Sequence, residues 1–515
     1  MKLPMKRSDF LKFVSLNAAA LTIPGCIYRR SWSVTFIDRP NILLCLSDNQ
    51  SWLHAGAYGD KVVKTPAFDR LAREGVLFNR AFVSAPSCCP SRGNLLTGQS
   101  FYRLREGAQN WSILDRSFKV YPDILEAAGY HVGYTGKGWG PGDWKKGGWA
   151  RNPAGPEYNQ RQRQPVEGLM REDDYAGNFE DFLKARPKGQ PFCFWYGGKE
   201  PHRPYQGGSG LSAGKKLENV VVPPFLPDTE VVRSDLLDYA RAIDWFDTHL
   251  GRMIQLLEKV GELDNTIIVV TSDNGMQFPR GGIANLYDYG TRVPLVVRWG
   301  AKIKGGRVVD DFISLTDFAP TFLQAAGITP PPEMNGRSFL HVLLSNRSGQ
   351  EDLTRDHVII GRERHHPQAF FSGGLSFPCR GIRTQKYLYI RNYRPGRSCA
   401  GDAPAYNDVD PGPTKTYMLT HRDSAENQRL FELAFGSRPA EELYDLQKDP
   451  DQMHNIATDP EYANVKEELA ERLYRELLET LDPRALGEGD VFDEYPIYWP
   501  EQIRIGWEKS NKITW

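Results

Sequence analysis

Short, strand-length runs that end abruptly in polar residues set the frame for this chain. They are Asn41–Ser47, His131–Thr135, Pro191–Tyr196 and Asn265–Thr271. The first is apolar enough to read as a central parallel strand buried on both faces. Helical stretches lie between them, the alternation of an α/β protein. Asp48-Asn49, Gly136-Lys137, Lys199-Glu200 and Asp273-Asn274 stand just past the four runs. In open α/β sheets the carboxyl ends of the strands are where ligands sit. An Asp-Asn pair after a strand is otherwise a common turn.

Helix signals fill the gaps. Thr65-Pro66 offers a cap and a first-turn proline, with Phe68, Leu71 and Ala72 on one face. Tyr121–Ala128 and Thr316–Gly327 read as helices, and Val76–Val83 as a strand. Ser234 is the expected cap of a long helix carrying Leu236, Tyr239, Ile243, Phe246, Leu250 and Leu257 at helical spacing. From about residue 376 the character changes. Arg380–Arg391 reads as an edge strand, 392–428 as a Gly/Pro/Asp-rich loop, and Tyr462–Leu481 as a helix.

A chain of 515 residues can build a large core and a second domain. Lys+Arg and Asp+Glu are both 64, and a net charge of zero argues against a general nucleic-acid binder. Aromatic faces suit sugar rings, and equally ordinary cores, so 12 Trp and 23 Tyr decide little. None of the seven cysteines has zinc spacing. Cys45 and Cys193 sit in apolar runs and read as buried thiols, while Cys379 and Cys399 flank a loop-rich stretch, and the sequence leaves open whether they pair in an oxidising compartment or stay free.

Lys2, Lys6, Arg7 and Lys12 precede a mostly apolar run, Phe13–Gly25. A basic region before an apolar stretch too short to span a bilayer reads as an export signal over residues 1–30. Arg7-Ser8-Asp9-Phe10-Leu11-Lys12 resembles a twin-arginine motif lacking one arginine, and Ile23-Pro24-Gly25-Cys26 resembles a lipoprotein cleavage site, with Cys26 as the lipid anchor. An ordinary cleaved signal is the other reading. Either way the expectation is an exported protein, periplasmic or a cell-envelope lipoprotein, from a bacterium. No later segment is long and apolar enough for a transmembrane helix.

The most specific stretch is Cys88-Cys89-Pro90-Ser91-Arg92-Gly93-Asn94-Leu95-Leu96-Thr97-Gly98. Proline stiffens the backbone after the cysteines, and Leu95 and Leu96 can anchor the segment on a core. This would hold a reactive group at a helix mouth, where backbone N–H groups favour anions. A buried cysteine pair at a helix start is the plain alternative.

Cys-x-Pro-Ser-Arg followed by x-x-Leu-Leu-Thr-Gly resembles the signature of formylglycine-dependent sulfatases. The resemblance implies that Cys88 is oxidised by a formylglycine-generating enzyme, with Pro90, Ser91 and Arg92 as the maturation motif, and that the hydrated aldehyde is the nucleophile. Arg39-Pro40-Asn41-Ile42 and Asp48 match the family's first metal block, with Asn49 replacing a second aspartate. Ser272-Asp273-Asn274-Gly275 resembles the second metal block. A calcium site of Asp48, Asn49, Cys88, Asp273 and Asn274 is implied, and Asn can give a carbonyl oxygen to a hard cation. Lys137 matches a sulfate-pocket lysine, but Trp139 stands where the family has a histidine. His202 in Pro201-His202-Arg203-Pro204 matches the histidine that protonates the leaving oxygen. Catalysis would thus fall to Cys88, Arg92, Lys137 and His202. Ile283 occupies a position where the family has a sulfate-contacting basic residue, and Arg280 is the nearby substitute. His365-His366, at a strand end, are candidate substrate-binding residues, with a solvated pair as the other reading. The 140–170 loop, with Trp144 and Trp149, reads as a substrate wall or a surface insert.

The resemblance runs from about residue 39 to about 480. It implies an alkaline-phosphatase-like α/β fold: a large mixed sheet between helices (residues 38–375) and a small C-terminal antiparallel-sheet subdomain (residues 376–515). Glu442-Leu443-Tyr444-Asp445-Leu446 through Asn455-Ile456-Ala457 resembles the carboxyl-terminal sulfatase block. Phe278-Pro279, Asn285-Leu286-Tyr287 and His365-His366 look most like the heparan N-sulfatase (sulfamidase) branch. The expected activity is hydrolysis of sulfate esters or sulfamates on sulfated sugars. Two rivals stand: a phosphoryl-transfer hydrolase, which would use Ser or Thr as nucleophile, and a non-catalytic sulfated-glycan binder, favoured by Trp139, Asn49 and Ile283.

Overall fold

The computed structural model describes residues 39–163, 172–366 and 376–498. The expected export signal and Cys26 lie outside these residues, as do 164–171 of the 140–170 loop. No helix among the described residues is long and apolar enough to cross a membrane.

In chain order the strands are β1 (Asn41–Ser47), β2 (Val76–Phe78), β3 (Ala81–Phe82), β4 (His131–Gly136), β5 (Phe192–Gly197), β6 (Thr266–Ser272) and β7 (Arg292–Val293). They continue with β8 (Val296–Arg298), β9 (Arg307–Val309), β10 (Ile313–Ser314), β11 (His357–Arg362), β12 (Cys379–Thr384), β13 (Tyr387–Asn392) and β14 (Glu441–Asp445). Seven form the large sheet, in the order β4-β5-β1-β6-β8-β2-β9. β4, β5, β1 and β6 run parallel, and β8 is antiparallel to both β6 and β2. The sheet is therefore mixed.

Alternate residues of the central strands feed two cores. Ile42, Leu44, Leu46, Ile267 and Val269 join one, while Leu43, Cys45, Ile268 and Val270 join the other. The first is covered by α2 (Cys88–Thr97), α3 (Tyr121–Ala127) and α6 (Phe318–Ala325), the second by α1 (Pro66–Glu74), α4 (Tyr175–Ala185) and α5 (Glu230–Lys259). Burial on both faces is why the middles of β1 and β6, residues 42–46 and 267–270, are continuously apolar. Cys45 in β1 and Cys193 in β5 are buried thiols.

β11-β12-β13-β14 form a separate antiparallel sheet. Helix α7 (Ala463–Glu479) packs on it through Leu469, Leu473 and Leu477. The alkaline-phosphatase-like arrangement of a large mixed sheet between helices, with a small antiparallel sheet, is thus present.

Several local expectations change. Val76–Val83 breaks into β2 and β3, which belong to different sheets. The long helix starts before Ser234, capped by Thr229, whose side chain accepts from Val232 N–H. The expected edge strand 380–391 is two interior strands, and its sheet begins with β11, ahead of residue 376. Residues 392–428 contain a helix, Pro413–Thr420. Cys379 and Cys399 are both buried free thiols.

Candidate active site

Strand register assembles the site. Ser47 pairs with Ser272, Leu46 with Gly197, and Gly136 with Gly197, so four parallel strands end at one level. The residues just beyond them, Asp48, Lys137, Lys199, His202 and Asp273, converge. Close approach is needed here: a Cβ on Gly197 would lie 1.9 Å from the Lys137 carbonyl oxygen, and Gly136 has φ +75°.

Helix α2 aims Cys88 at these strand ends. Its first turn tolerates Pro90, since the first N–H groups of a helix have no partner within it. Gly98 closes it in the left-handed conformation. Ser87 makes no cap bond; its Oγ lies 2.7 Å from His365 Nδ1. Ser91 is buried.

Asp48, Cys88 and Asp273 place ligand atoms within 4.8 Å of one another. Cys88 Sγ is 3.7 Å from Asp48 Oδ1 and 3.9 Å from Asn274 Nδ2. Lys137 Nζ donates to Asp48 Oδ2 at 2.6 Å. Arg92, fully buried, donates to Asp273 Oδ2 (2.7 Å) and to the carbonyls of Lys137 (2.7 Å) and Gly138 (3.0 Å). It ties the ends of β6 and β4 together, while its Nη2 stands 3.6 Å from Asp48 Oδ2 and makes no hydrogen bond.

Burial works against ionising Asp48, but Lys137 and Arg92 overcome it and hold the carboxyl well below its usual range. Asp273 goes up, from burial first and the neighbouring Asp48 next, against the pull of Arg92. Burial opposes the Lys137 charge too, yet Asp48 keeps the ammonium above its ordinary value. The Cys88 thiol is pushed well up by burial, with the two carboxylates adding to it against Lys137. As a plain thiol it is a poor nucleophile.

Two crowded carboxylates are what a hard cation relieves. Asn49 Nδ2 donates to Gln277 Oε1 at 2.7 Å, which fixes the amide and leaves Asn49 Oδ1 buried without a partner. Asn274 Oδ1 is likewise buried and unpartnered. Buried acceptors rarely go unmet. The donor set of two carboxylates and two amide oxygens fits calcium.

A cavity of about 490 Å³ opens over this cluster. Lys137, His202, His365 and His366 line it with Cys88 and Asp48. His202 Nδ1 lies 2.7 Å from the Arg203 carbonyl oxygen, which can only accept, so Nδ1 carries a proton. Nε2 sits 4.0 Å from Asp410 Oδ2. Lys199 pairs with Asp173, and Arg203 pairs with Asp235.

Arg280 does not line the cavity. Its guanidinium is buried over the Tyr287 ring and donates to the Gln452 carbonyl, so it does not replace a basic residue at position 283. Ile283 itself lines the cavity. Trp139 is absent from the wall: its indole donates to the Cys89 carbonyl at 3.1 Å within the core beneath α2. Trp149 is also core, and only Pro141 of the described part of that loop reaches the cavity.

Asp410, Asn110 and Trp111, which also line the cavity, and Gln277, which fixes Asn49, carried no signal of this in the sequence. Asp410 stands in a Gly/Pro/Asp-rich loop, and Asn110 and Trp111 in a stretch without a motif. Gln277, three residues past Asn274, offered only proximity to the metal block.

Residues 40–328 match the family described as Sulfatase, and residues 284–399 match that described as N-sulphoglucosamine sulphohydrolase, C-terminal. An ulvan-active sulfatase of Formosa agariphila is 29% identical over 443 residues, covering 85% of this chain and 80% of the relative. The N-sulphoglucosamine sulphohydrolase of Homo sapiens is 28% identical over 501 residues, covering 88% and 93%. A solved structure described as in complex with its substrate D-glucosamine-2-N,6-O-disulfate aligns with TM-score 0.63 at 22% identity, covering 86% of this chain and 98% of that one. A family match over more than half of the 515 residues, on a fold of the same kind, means that this chain belongs to the sulfatase family of enzymes.

Proposed function

We propose that the protein hydrolyses sulfate groups on sulfated sugars, with N-sulfated amino sugars as the preferred class. The observation that carries this is the cavity itself: Cys88 at its base, Lys137 and the paired carboxylates beside it, and His202 at its wall. The match of residues 284–399 to the N-sulphoglucosamine sulphohydrolase C-terminal family supports the sulfamate preference. The ulvan-active relative supports an O-sulfated polysaccharide as the second reading.

Cys88 is the residue for conversion to formylglycine, whose hydrate supplies the nucleophile that a buried thiol cannot. Asp48, Asn49, Asp273 and Asn274, with the side chain at 88, would hold calcium, which when bound neutralises sulfate charge. Lys137 adds a fixed positive charge on the same side. Arg92 holds Asp273 and the turn at 137–138 in place. His202, anchored through Nδ1, presents Nε2 to the leaving atom as the general acid. The basic and apolar residues at the amino terminus support export to the cell envelope.

The test is sulfate release from N-sulfoglucosamine and from an O-sulfated sugar, together with the peptide mass around Cys88 in protein from a host that has the maturation enzyme. Conversion of the thiol to an aldehyde with release by wild type, and none by Cys88→Ala, is expected. Full turnover by Cys88→Ala would refute the scheme. A converted Cys88 with no release from either sugar would remove the assigned substrate class.

A further inference from the structure

Two carboxylates line the cavity, Asp48 and Asp410. Asp48 belongs to the cation cluster at the base. Asp410 lies beside His202 on the cavity wall, where a carboxylate repels sulfate. Its Oδ2 is screened from solvent and accepts no hydrogen bond, and its one ion-pair contact among the described residues is His202 Nε2 at 4.0 Å. The cavity's lysines and its arginine are committed elsewhere: Lys137 to Asp48, Lys199 to Asp173 and Arg203 to Asp235.

The loop that carries Asp410 is built to present it. Lys415 Nζ, buried, donates to the carbonyls of Ala405 (2.7 Å), Tyr406 (3.0 Å) and Val409 (2.8 Å). Asp408, two residues before, pairs with Arg362 and accepts from His366 N–H at 2.9 Å. Arg362 also donates to the Cys399 carbonyl at 2.8 Å. A loop fixed at three carbonyls and one ion pair holds Asp410 beside the proton donor rather than letting it turn into solvent.

Resting on the sulfamate reading above, we propose that Asp410 is a specificity-determining residue that selects a nitrogen leaving group by pairing with the ammonium it becomes. The products differ in charge. A sulfamate anion plus water gives an ammonium and a sulfate dianion: the N–S bond breaks, an S–O bond forms, and both water hydrogens end on nitrogen. An O-sulfate ester gives a neutral alcohol. Because the leaving atom must meet His202 Nε2, it lies within reach of Asp410 Oδ2. There an ammonium gains a charge-assisted hydrogen bond, and an alcohol gains much less.

Two measurements test this. The first is the ratio of kcat/KM for N-sulfoglucosamine to that for its isostere glucose-2-sulfate, in wild type, Asp410→Asn and Asp410→Glu. A charge-assisted bond removed from one substrate class lowers that ratio by about tenfold or more in Asp410→Asn, and Asp410→Glu restores part of it. A parallel fall on both substrates, or no change, overturns the proposal. The second is direct binding of glucosamine and of glucose to the same proteins, which needs no turnover. Glucosamine is expected to bind wild type more tightly than glucose, and to lose that advantage in Asp410→Asn. Equal binding of the two sugars by wild type overturns the proposal. If wild type releases sulfate from neither substrate, the hydrolase reading fails by itself, and the binding comparison still decides the role of Asp410.

Discussion

Changing Asn49 to Asp restores the residue that sulfatases carry, yet it should destabilise this protein unless a cation is present. Asn49 Nδ2 gives a 2.7 Å bond to Gln277 Oε1, and both side chains are buried. Gln277 cannot turn its amide to suit an aspartate. Its Nε2 is engaged with the Pro201 carbonyl at 3.2 Å and with the Tyr205 hydroxyl, and its Oε1 also accepts from Arg203 N–H at 3.2 Å. A carboxylate at 49 would face an acceptor, and a buried group that loses its partner costs about 1–3 kcal/mol. It would also stand beside Asp48 and Asp273. At about 5 Å and an effective dielectric of about 20, one such repulsion is about 3 kcal/mol. Protonating the new carboxyl at neutral pH caps the total near 4 kcal/mol. The expected loss without cation is therefore about 2–4 kcal/mol. The assay is urea unfolding of wild type and Asn49→Asp in chelator and in millimolar calcium. The variant should be the weaker in chelator and should gain more from calcium, because a third negative charge favours the cation. Equal stability in chelator, with equal gain from calcium, would refute both the Gln277 argument and the placement of the cation.

Three other outcomes follow from the packing. Trp139→His should lose about 2–4 kcal/mol of stability by vacating core volume, and should not raise sulfate release, because position 139 faces the core beneath α2; a gain in turnover would contradict this. Arg380, fully buried, pairs with Asp482 at 2.6 Å and Glu363 at 2.9 Å, so Arg380→Met should cost about 3–5 kcal/mol in urea unfolding by stranding buried carboxylates; a loss under about 1 kcal/mol would show that Arg484, which also holds Glu363, suffices. Burial, then the charge of Arg362, holds the His365 imidazole down to about 3. The unfolded chain takes up that proton near pH 6.5 and the folded one does not, so stability is full above 6.5 and falls as pH drops toward 3, by about 1.4 kcal/mol per unit. His365→Gln should flatten the slope between pH 6 and 4, and an unchanged slope would mean that His365 is protonated in the native state.

What could be read from sequence was local or strongly patterned. β1 matched its expected span because an apolar run buried on both faces leaves no other period to choose. The eleven residues from Cys88 announced a helix mouth because proline and the leucine pair act within one helical segment. The strand-end residues Asp48, Lys137 and Asp273 were identifiable because parallel strands of similar length bring their carboxyl ends to one level, whereas His202 stood out through the family resemblance of Pro201-His202-Arg203-Pro204. Where a choice depended on partners distant in sequence, the outcome differed. The 76–83 segment divides because β2 finds β8 and β9 while β3 finds β7 and β10. Arg280 turns away to the Tyr287 ring, seven residues on, and to the Gln452 carbonyl, which the C-terminal part of the chain brings up. Gln277 accounts for Asn49, and Asp410 enters the cavity on a loop held by Lys415 and Arg362, from residues with no motif of their own. The sequence alone determined which chemistry is gathered at the strand ends, since that follows from short-range pattern and strand direction. Which charges line the wall of the cavity beside His202 was decided only by tertiary structure, because the loop's path is set by the carbonyl contacts of Lys415 and by the Asp408–Arg362 ion pair, which no short-range pattern announces.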